Sequence, residues 1–162
     1  MRETRTVQAV SDERRRRFRF WPEGYDALHR LSETVKASGL EAPLLELIKM
    51  RASQINGCAY CIDMHSKDAR AGGETEQRLY ALSAWRETTF FTERERSALA
   101  FTEAITLIAG SDVPSSVLDE AEAQFTAEEL GKLLYAVIEI NAWNRLGIAT
   151  GVPPGSYQPA ES

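Results

Sequence analysis

The stretch Glu46-Leu47-Ile48-Lys49-Met50-Arg51-Ala52-Ser53-Gln54-Ile55-Asn56-Gly57-Cys58-Ala59-Tyr60-Cys61-Ile62-Asp63-Met64-His65 decides the reading of this chain. Pro43, just upstream, is a favoured first-turn residue and opens a helix. Leu44, Leu45, Ile48, Ala52 and Ile55 then recur at helical spacing. Asn56-Gly57 is a left-handed terminator. A second helix is expected from about Cys58 to Ala71, stopped by Gly72-Gly73. The only two cysteines of the chain, Cys58 and Cys61, therefore open a helix together.

Working outward, the same period continues. Tyr25 to Ala37 reads as a helix with Leu28, Leu31 and Val35 on one face. Another starts at Thr75 and carries Leu79, Leu82 and Trp85. Thr92-Glu93-Arg94-Glu95 is a capping box that opens a helix through Leu99, Phe101, Ile105 and Ile108 to Gly110. Pro114-Ser115 opens one with Val117, Leu118 and Phe125. Thr126-Ala127-Glu128-Glu129 is a second capping box, opening a long final helix through Leu130, Leu133, Leu134, Val137 and Ile138 to about Arg145. No strand-type alternation competes with these periods. The expectation is an all-α helical bundle of one domain: a basic arm over residues 1–22, a helical body over 23–155 and a tail over 156–162.

Composition supports a globular chain. It has 162 residues, 43% of them hydrophobic, enough to bury a core without staples. Disordered, collagenous and disulfide-dense classes are excluded. The longest clean apolar run, Leu133 to Ile138, is far short of the ~20 residues of a membrane-spanning helix. No secretory signal is visible, so a cytoplasmic location with no membrane partner is expected. The first 20 residues hold seven arginines against Glu3, Asp12 and Glu13, a net +4; with the whole chain at −5, the remainder carries −9. That acidic body argues against nucleic acid as a partner. Phe18, Phe20 and Trp21 follow the arginines directly and suggest an arm that docks on the body or on a neighbouring subunit. Trp85 and Trp143 are expected as further anchors, and Glu139 is a candidate buried carboxylate whose position on the helix is equally compatible with facing solvent.

The chemistry gathers around the cysteines. A C-x-x-C at a helix start is a redox-dithiol arrangement. The second cysteine lies one turn along, within reach of a disulfide with the first. His65 shares a helix face with Cys61 and can take its proton or stabilise its thiolate. The helix dipole favours a thiolate at Cys58 instead, so these two arguments conflict. Other readings are inert core cysteines, a purely structural disulfide, and a zinc site in which Asp63, Asp68 or Glu46 joins the cysteines and His65. The absence of a second ligand pair counts against zinc, so no metal and no cofactor is expected. No phosphate-binding glycine loop is present. His29 reads as a surface or satisfied histidine.

At Cys58, Cys61 and His65 the sequence resembles the alkylhydroperoxidase AhpD and carboxymuconolactone decarboxylase superfamily. The redox branch of that family carries a glutamate, eleven residues, then C-x-x-C-x-x-x-His, and Glu46 stands at that spacing before Cys58. Residues 49–58, and the later Asn141-Ala142-Trp143-Asn144-Arg145-Leu146 leading to Pro153-Pro154-Gly155, also look like the family. The resemblance implies an AhpD-like helical bundle that assembles as a homo-oligomer, a trimer or a hexamer. It implies a hydroperoxide substrate, with Cys61 as the nucleophile, Cys58 as proton donor and then disulfide partner, and His65 assisted by Glu46 as the base. It also implies an external dithiol reductant, as on the lipoyl-bearing partner proteins of known relatives. One departure is Tyr60, where studied peroxidase members carry a histidine; a phenol exchanges protons poorly near neutral pH. Tyr60, Asn141 and Arg145 are candidate relay or pocket residues, Arg145 as a holder of a carboxylate, although interface packing or helix capping explains the last-helix residues as well.

The reading is thus a thiol-dependent alkylhydroperoxide reductase, an antioxidant oxidoreductase. The alternatives are a non-catalytic thiol sensor or oligomeric interaction module, and a small-lactone decarboxylase, a branch that typically lacks the cysteine pair.

Overall fold

The computed structural model describes residues 6–159. Along the chain lie α1 (Val7–Arg17), α2 (Pro22–Lys36), α3 (Ala42–Asn56), α4 (Ala59–Ala71), α5 (Glu76–Ala81), a 3-10 segment (Leu82–Glu87), α6 (Glu93–Thr106), α7 (Ser115–Glu122) and α8 (Ala127–Thr150). No strand occurs among the described residues. The fold is an all-α bundle.

α3 is its axis, because it is apolar on two sides. Leu44, Leu45 and Ile48 join a cluster with Val35 of α2, Ala98 and Phe101 of α6, and Leu133, Ala136 and Val137 of α8. Leu47 and Met50 face the other way, toward Leu82, Trp85, Phe91 and Leu99. α3 accordingly packs against α4, α6 and α8. Both expected capping boxes form. Thr92 and Thr126 each accept from the backbone of the glutamate three residues on, and that glutamate reaches back to the threonine N–H.

A partly buried polar node fixes the far side of α3. Glu103 of α6 accepts from Arg51 Nε at 2.8 Å, from Trp85 Nε1 at 2.9 Å and from Arg86. Burial opposes its ionisation, but the hydrogen bonds from Trp85, Arg86 and Arg51 outweigh that and hold the carboxyl below its ordinary value.

Five boundaries differ from expectation. α2 opens at Pro22, three residues ahead of Tyr25, with the proline in its first turn. The segment from Thr75 is not one α-helix: it tightens into the 3-10 segment at Leu82. There, residues three apart eclipse, which lets both Leu82 and Trp85 face the core. α6 stops at Thr106, leaving Leu107 and Ile108 outside the helix and exposed. α7 ends at Glu122, and Phe125 is buried from the turn that follows, under the Arg94 guanidinium. α8 runs five residues past Arg145 to Thr150, since its terminator is Gly151, in the left-handed conformation at φ 68°.

The basic arm contains a helix of its own. Thr6 caps α1, accepting from Ala9 N at 3.2 Å, and four arginines fill its last turn, where they complement the helix dipole. α1 lies on the end of α8: Arg14 Nη1 donates to the Ile148 carbonyl at 3.3 Å, and Ser11 is buried beside Gly151. The aromatic run after it is not covered by this docking. Phe20 and Trp21 stay 68% and 70% exposed, and Phe18 is also exposed, because α1 packs on α8 through Ser11 and Arg14 instead. Trp85 is the buried anchor of the three tryptophans. His29 is exposed and stacks on Tyr25.

Candidate active site

The junction of α3 and α4 builds the site. Gly57 closes α3 in the left-handed conformation at φ 71°, which a side chain would disfavour. The next residue serves two helices. Cys58 N donates to the Ser53 carbonyl at 3.0 Å, ending α3, and Cys58 Sγ caps α4 by accepting from Cys61 N at 3.4 Å. Cys58 and Cys61 are joined by a disulfide, with Cα atoms 5.3 Å apart. Both are enclosed, 1% and 3% exposed.

One turn further, His65 is 4% exposed and its Nδ1 lies 2.8 Å from Glu46 Oε2 on α3. Glu46 keeps 23% of its side chain exposed, so the pair runs from the enclosed sulfurs to the surface. A carboxylate on Nδ1 fixes the tautomer and leaves Nε2 as the nitrogen that can accept a proton. The nearest ligand-type atoms of Glu46, His65 and Asp68 all lie within 4.8 Å of one another. Asp63 takes no part in this group. Lys67 and the Gly155 N–H bond it, in that order of strength, and hold its carboxyl below the usual range.

α8 covers the sulfurs. A Cβ built on Gly147 would sit in van der Waals contact with Cys58 Sγ at 3.4 Å and Cys61 Sγ at 3.9 Å, which places this turn of α8 directly against the dithiol. One turn back, an amide network locks α8 to the end of α3. Asn56 Nδ2 donates to Asn141 Oδ1 at 2.9 Å and to Asn144 Oδ1 at 2.8 Å. Asn144 Nδ2 donates to Ser53 Oγ at 3.0 Å, and Asn141 Nδ2 to Thr106 Oγ1 at 3.0 Å. Arg145 turns back onto its own helix, donating to the carbonyl and side-chain oxygens of Asn141 at 2.9 Å.

Residues 22–104 match the carboxymuconolactone decarboxylase family. The chain belongs to that family. The uncharacterized protein YdfG of Bacillus subtilis (strain 168) is 43% identical over 130 residues, covering 80% of this chain and 88% of its own. The uncharacterized protein YnjA of Escherichia coli (strain K12) is 26% identical over 118 residues, 73% of this chain and 64% of its own. Among solved structures, ATU0492 from Agrobacterium tumefaciens, a protein of unknown function named as a candidate antioxidant defence protein AhpD, superposes with a TM-score of 0.79 at 40% identity, covering 87% of this chain and 94% of that one. The debrominase Bmp8 shares the fold at TM-score 0.75 and 22% identity, over 83% of this chain and 73% of its own. The fold is therefore AhpD-like, and within this family the chain carries a C-x-x-C pair.

Of the residues singled out in the sequence, Cys58 is paired with Cys61, and His65, one turn further along α4, is paired with Glu46. Tyr60 sits half-buried on the first turn of α4. Asn141 and Arg145 are bonded to each other, and Asn141 also to Asn56 of α3 and Thr106 of α6, in the middle of α8 and not at a helix cap. Gly147, Asn56 and Tyr157 were not legible as site neighbours. Gly147 and Tyr157 lie more than 80 residues from the cysteines, and Asn56 reads only as a helix terminator. Two surface cavities of about 510 and 500 Å³ lie elsewhere, one beside Trp85 and Ser97 and one between α4 and Tyr80. Chemistry and burial, not cavity size, mark the dithiol as the site. No helix among the described residues is long and apolar enough to cross a membrane.

Proposed function

We propose that this family member is a thiol-dependent hydroperoxide reductase. The observation that carries the reading is the single array of an enclosed Cys58–Cys61 pair and a His65 held by Glu46 at 2.8 Å. In the reduced protein His65 Nε2 takes the Cys61 proton. The thiolate attacks the terminal peroxide oxygen, the O–O bond breaks, and Cys61 becomes a sulfenic acid. Cys58 gives its proton to the departing alkoxide, which leaves as the alcohol. The Cys58 thiolate then attacks the sulfenic sulfur, expelling hydroxide, which takes up the His65 proton to leave as water and closes the disulfide seen here. One hydroperoxide and two thiols thus yield an alcohol, water and one disulfide. An external dithiol, such as a lipoyl group on a partner protein, reopens the bridge by exchange.

Enclosure of both sulfurs favours one second reading, a thiol switch that oxidises once and does not turn over. Both readings are tested on reduced protein with a small alkyl hydroperoxide, following free thiols and intact mass. The expected result is fast loss of both thiols with a decrease of about two daltons, the two hydrogens lost on forming one disulfide, and continued peroxide consumption when dihydrolipoamide is supplied. Oxidation without continued consumption supports the switch. Thiols that survive excess peroxide overturn both.

The assembly we propose is a homo-oligomer, a trimer or a hexamer. Tyr135, Ile138 and Leu146 form an exposed stripe along α8, and Phe18, Phe20 and Trp21 add exposed aromatic surface. Light scattering after size exclusion is expected to give three or six times the 18.1 kDa chain mass. A monomer at micromolar concentration would count against it.

A further inference from the structure

The segment after α8 folds back onto the helix that carries the dithiol. Past Gly151 the chain runs through Pro153 and Pro154 to Gly155, whose N–H donates to Asp63 Oδ2 at 2.9 Å. Lys67 Nζ bonds that same oxygen at 2.9 Å and the Tyr157 carbonyl at 3.0 Å. Tyr157 Oη donates to Asp68 Oδ1 at 2.6 Å. The segment has no regular secondary structure, yet it is bonded to three side chains of a single helix.

Its last bond reaches the site. Asp68 lies three residues after His65, within the same 4.8 Å group as Glu46. Two carboxylates thus flank one imidazole, and only Glu46 takes the Nδ1–H. An undonated Asp68 would compete for that hydrogen, and its full charge would bear on any thiolate formed at Cys61. The Tyr157 hydroxyl answers both problems by donating to Asp68. Burial, then the hydrogen bond to Asp68, with Glu46 and Tyr60 nearby, raises this phenol far above its ordinary value, so it stays a donor at every working pH.

We propose that Tyr157 and Asp68 are positioning residues of the site: by engaging Asp68, the C-terminal strap keeps the Glu46–His65 pair in one arrangement and sets the pH at which Cys61 ionises. The groups that face this cluster are Glu46 from α3, Tyr60 and His65 from α4, and Tyr157 from the strap. Lys67 is engaged by Asp63 and the Tyr157 carbonyl, and on α8 Arg145 is engaged by Asn141. The consequence for peroxide rests on the reductase reading; thiol ionisation does not.

The test is the pH dependence of Cys61 alkylation by iodoacetamide in the reduced full-length protein, mapped by peptide mass. Tyr157→Phe leaves Asp68 without its donor, so the alkylation midpoint is expected to rise by about half a pH unit or more. Asp68→Asn keeps an oxygen for Tyr157 and so preserves the strap, but removes the charge; its midpoint is expected to fall. Opposite shifts support the proposal. Midpoints equal to the wild type, or moving in the same direction, overturn it and leave the strap a purely structural latch. The assay contains no peroxide, so a protein that shows the opposed shifts yet consumes no hydroperoxide refutes the reductase reading and leaves this one standing.

Discussion

On the proposed reductase reading, Cys61→Ser is expected to reduce hydroperoxide consumption to the uncatalysed background, a fall of at least about a thousandfold in turnover with a dithiol reductant. The reason lies in the geometry of α4. Cys61 is one turn before His65, and His65 is oriented by Glu46. A serine hydroxyl at the same place ionises far too weakly to attack a peroxide oxygen. Cys58→Ser separates the two thiol roles. Its Cys61 is expected to consume a single equivalent of peroxide and then stop as a sulfenic acid, trapped by dimedone and read by mass, since no second sulfur is in reach. His65→Ala is expected to fall between them, slower by about 10²–10⁴ as for loss of a general base. If Cys61→Ser keeps wild-type turnover while Cys58→Ser loses it, the roles of the two sulfurs are reversed, and dipole stabilisation at the helix start outweighs the histidine.

Lys49→Met produces the largest expected loss of stability. Glu139 of α8 is 2% exposed, and its Oε2 lies 3.5 Å from Lys49 Nζ of α3. The other carboxylate oxygen accepts from Ser32 Oγ at 2.5 Å, and Ser32 accepts from Trp143 Nε1 at 2.7 Å. Among the described residues Oε2 has no hydrogen-bond partner, and Lys49 is the cation paired with it. Taking away the ammonium strands a buried carboxylate and costs about 3–5 kcal/mol. For a chain of this size that is a drop of roughly 6–20 °C in melting temperature. The pair as a whole is worth much less than either half, because desolvating two charges consumes most of their attraction. The double variant Lys49→Met/Glu139→Leu is therefore expected to recover most of the loss. Thermal and urea denaturation of the two variants decide the matter. A single variant as stable as the wild type would refute this role for the Lys49–Glu139 pair.

Local interactions were the legible part of this molecule. The capping boxes at Thr92 and Thr126 and the stop at Gly57 depend on residues within four positions of one another, and each forms as its sequence implies. The Cys61–His65 relation is of the same kind. Glu46 became visible only through its family spacing, since a lone glutamate on an amphipathic helix ordinarily faces water. Less legible was whatever depends on distant chain meeting a helix. Glu139 could be placed neither inside nor outside by periodicity, because its burial is decided by Lys49 and Ser32 on other helices. Arg145 and Asn141 suggested a ligand pocket, but their partners are each other, Asn56 and Thr106. The aromatic run at Phe18 to Trp21 suggested burial by the arm, and within one chain it stays open.

The single-residue joint at Gly57, which hands the backbone from the α3 cap straight to the α4 cap, has a consequence for how such a chain tolerates insertion and deletion. An α-helix advances about 100° per residue. One residue added between Cys61 and His65 would swing the imidazole a quarter-turn away from Glu46, and one added at the joint would displace the whole of α4 against its glutamate. Side chains along this stretch can be exchanged within the limits of packing, but its length behaves as a ruler. A library of variants with one-residue gains and losses across 46–65 would be expected to die almost uniformly, whereas the same changes in the loop between α6 and α7 would be absorbed.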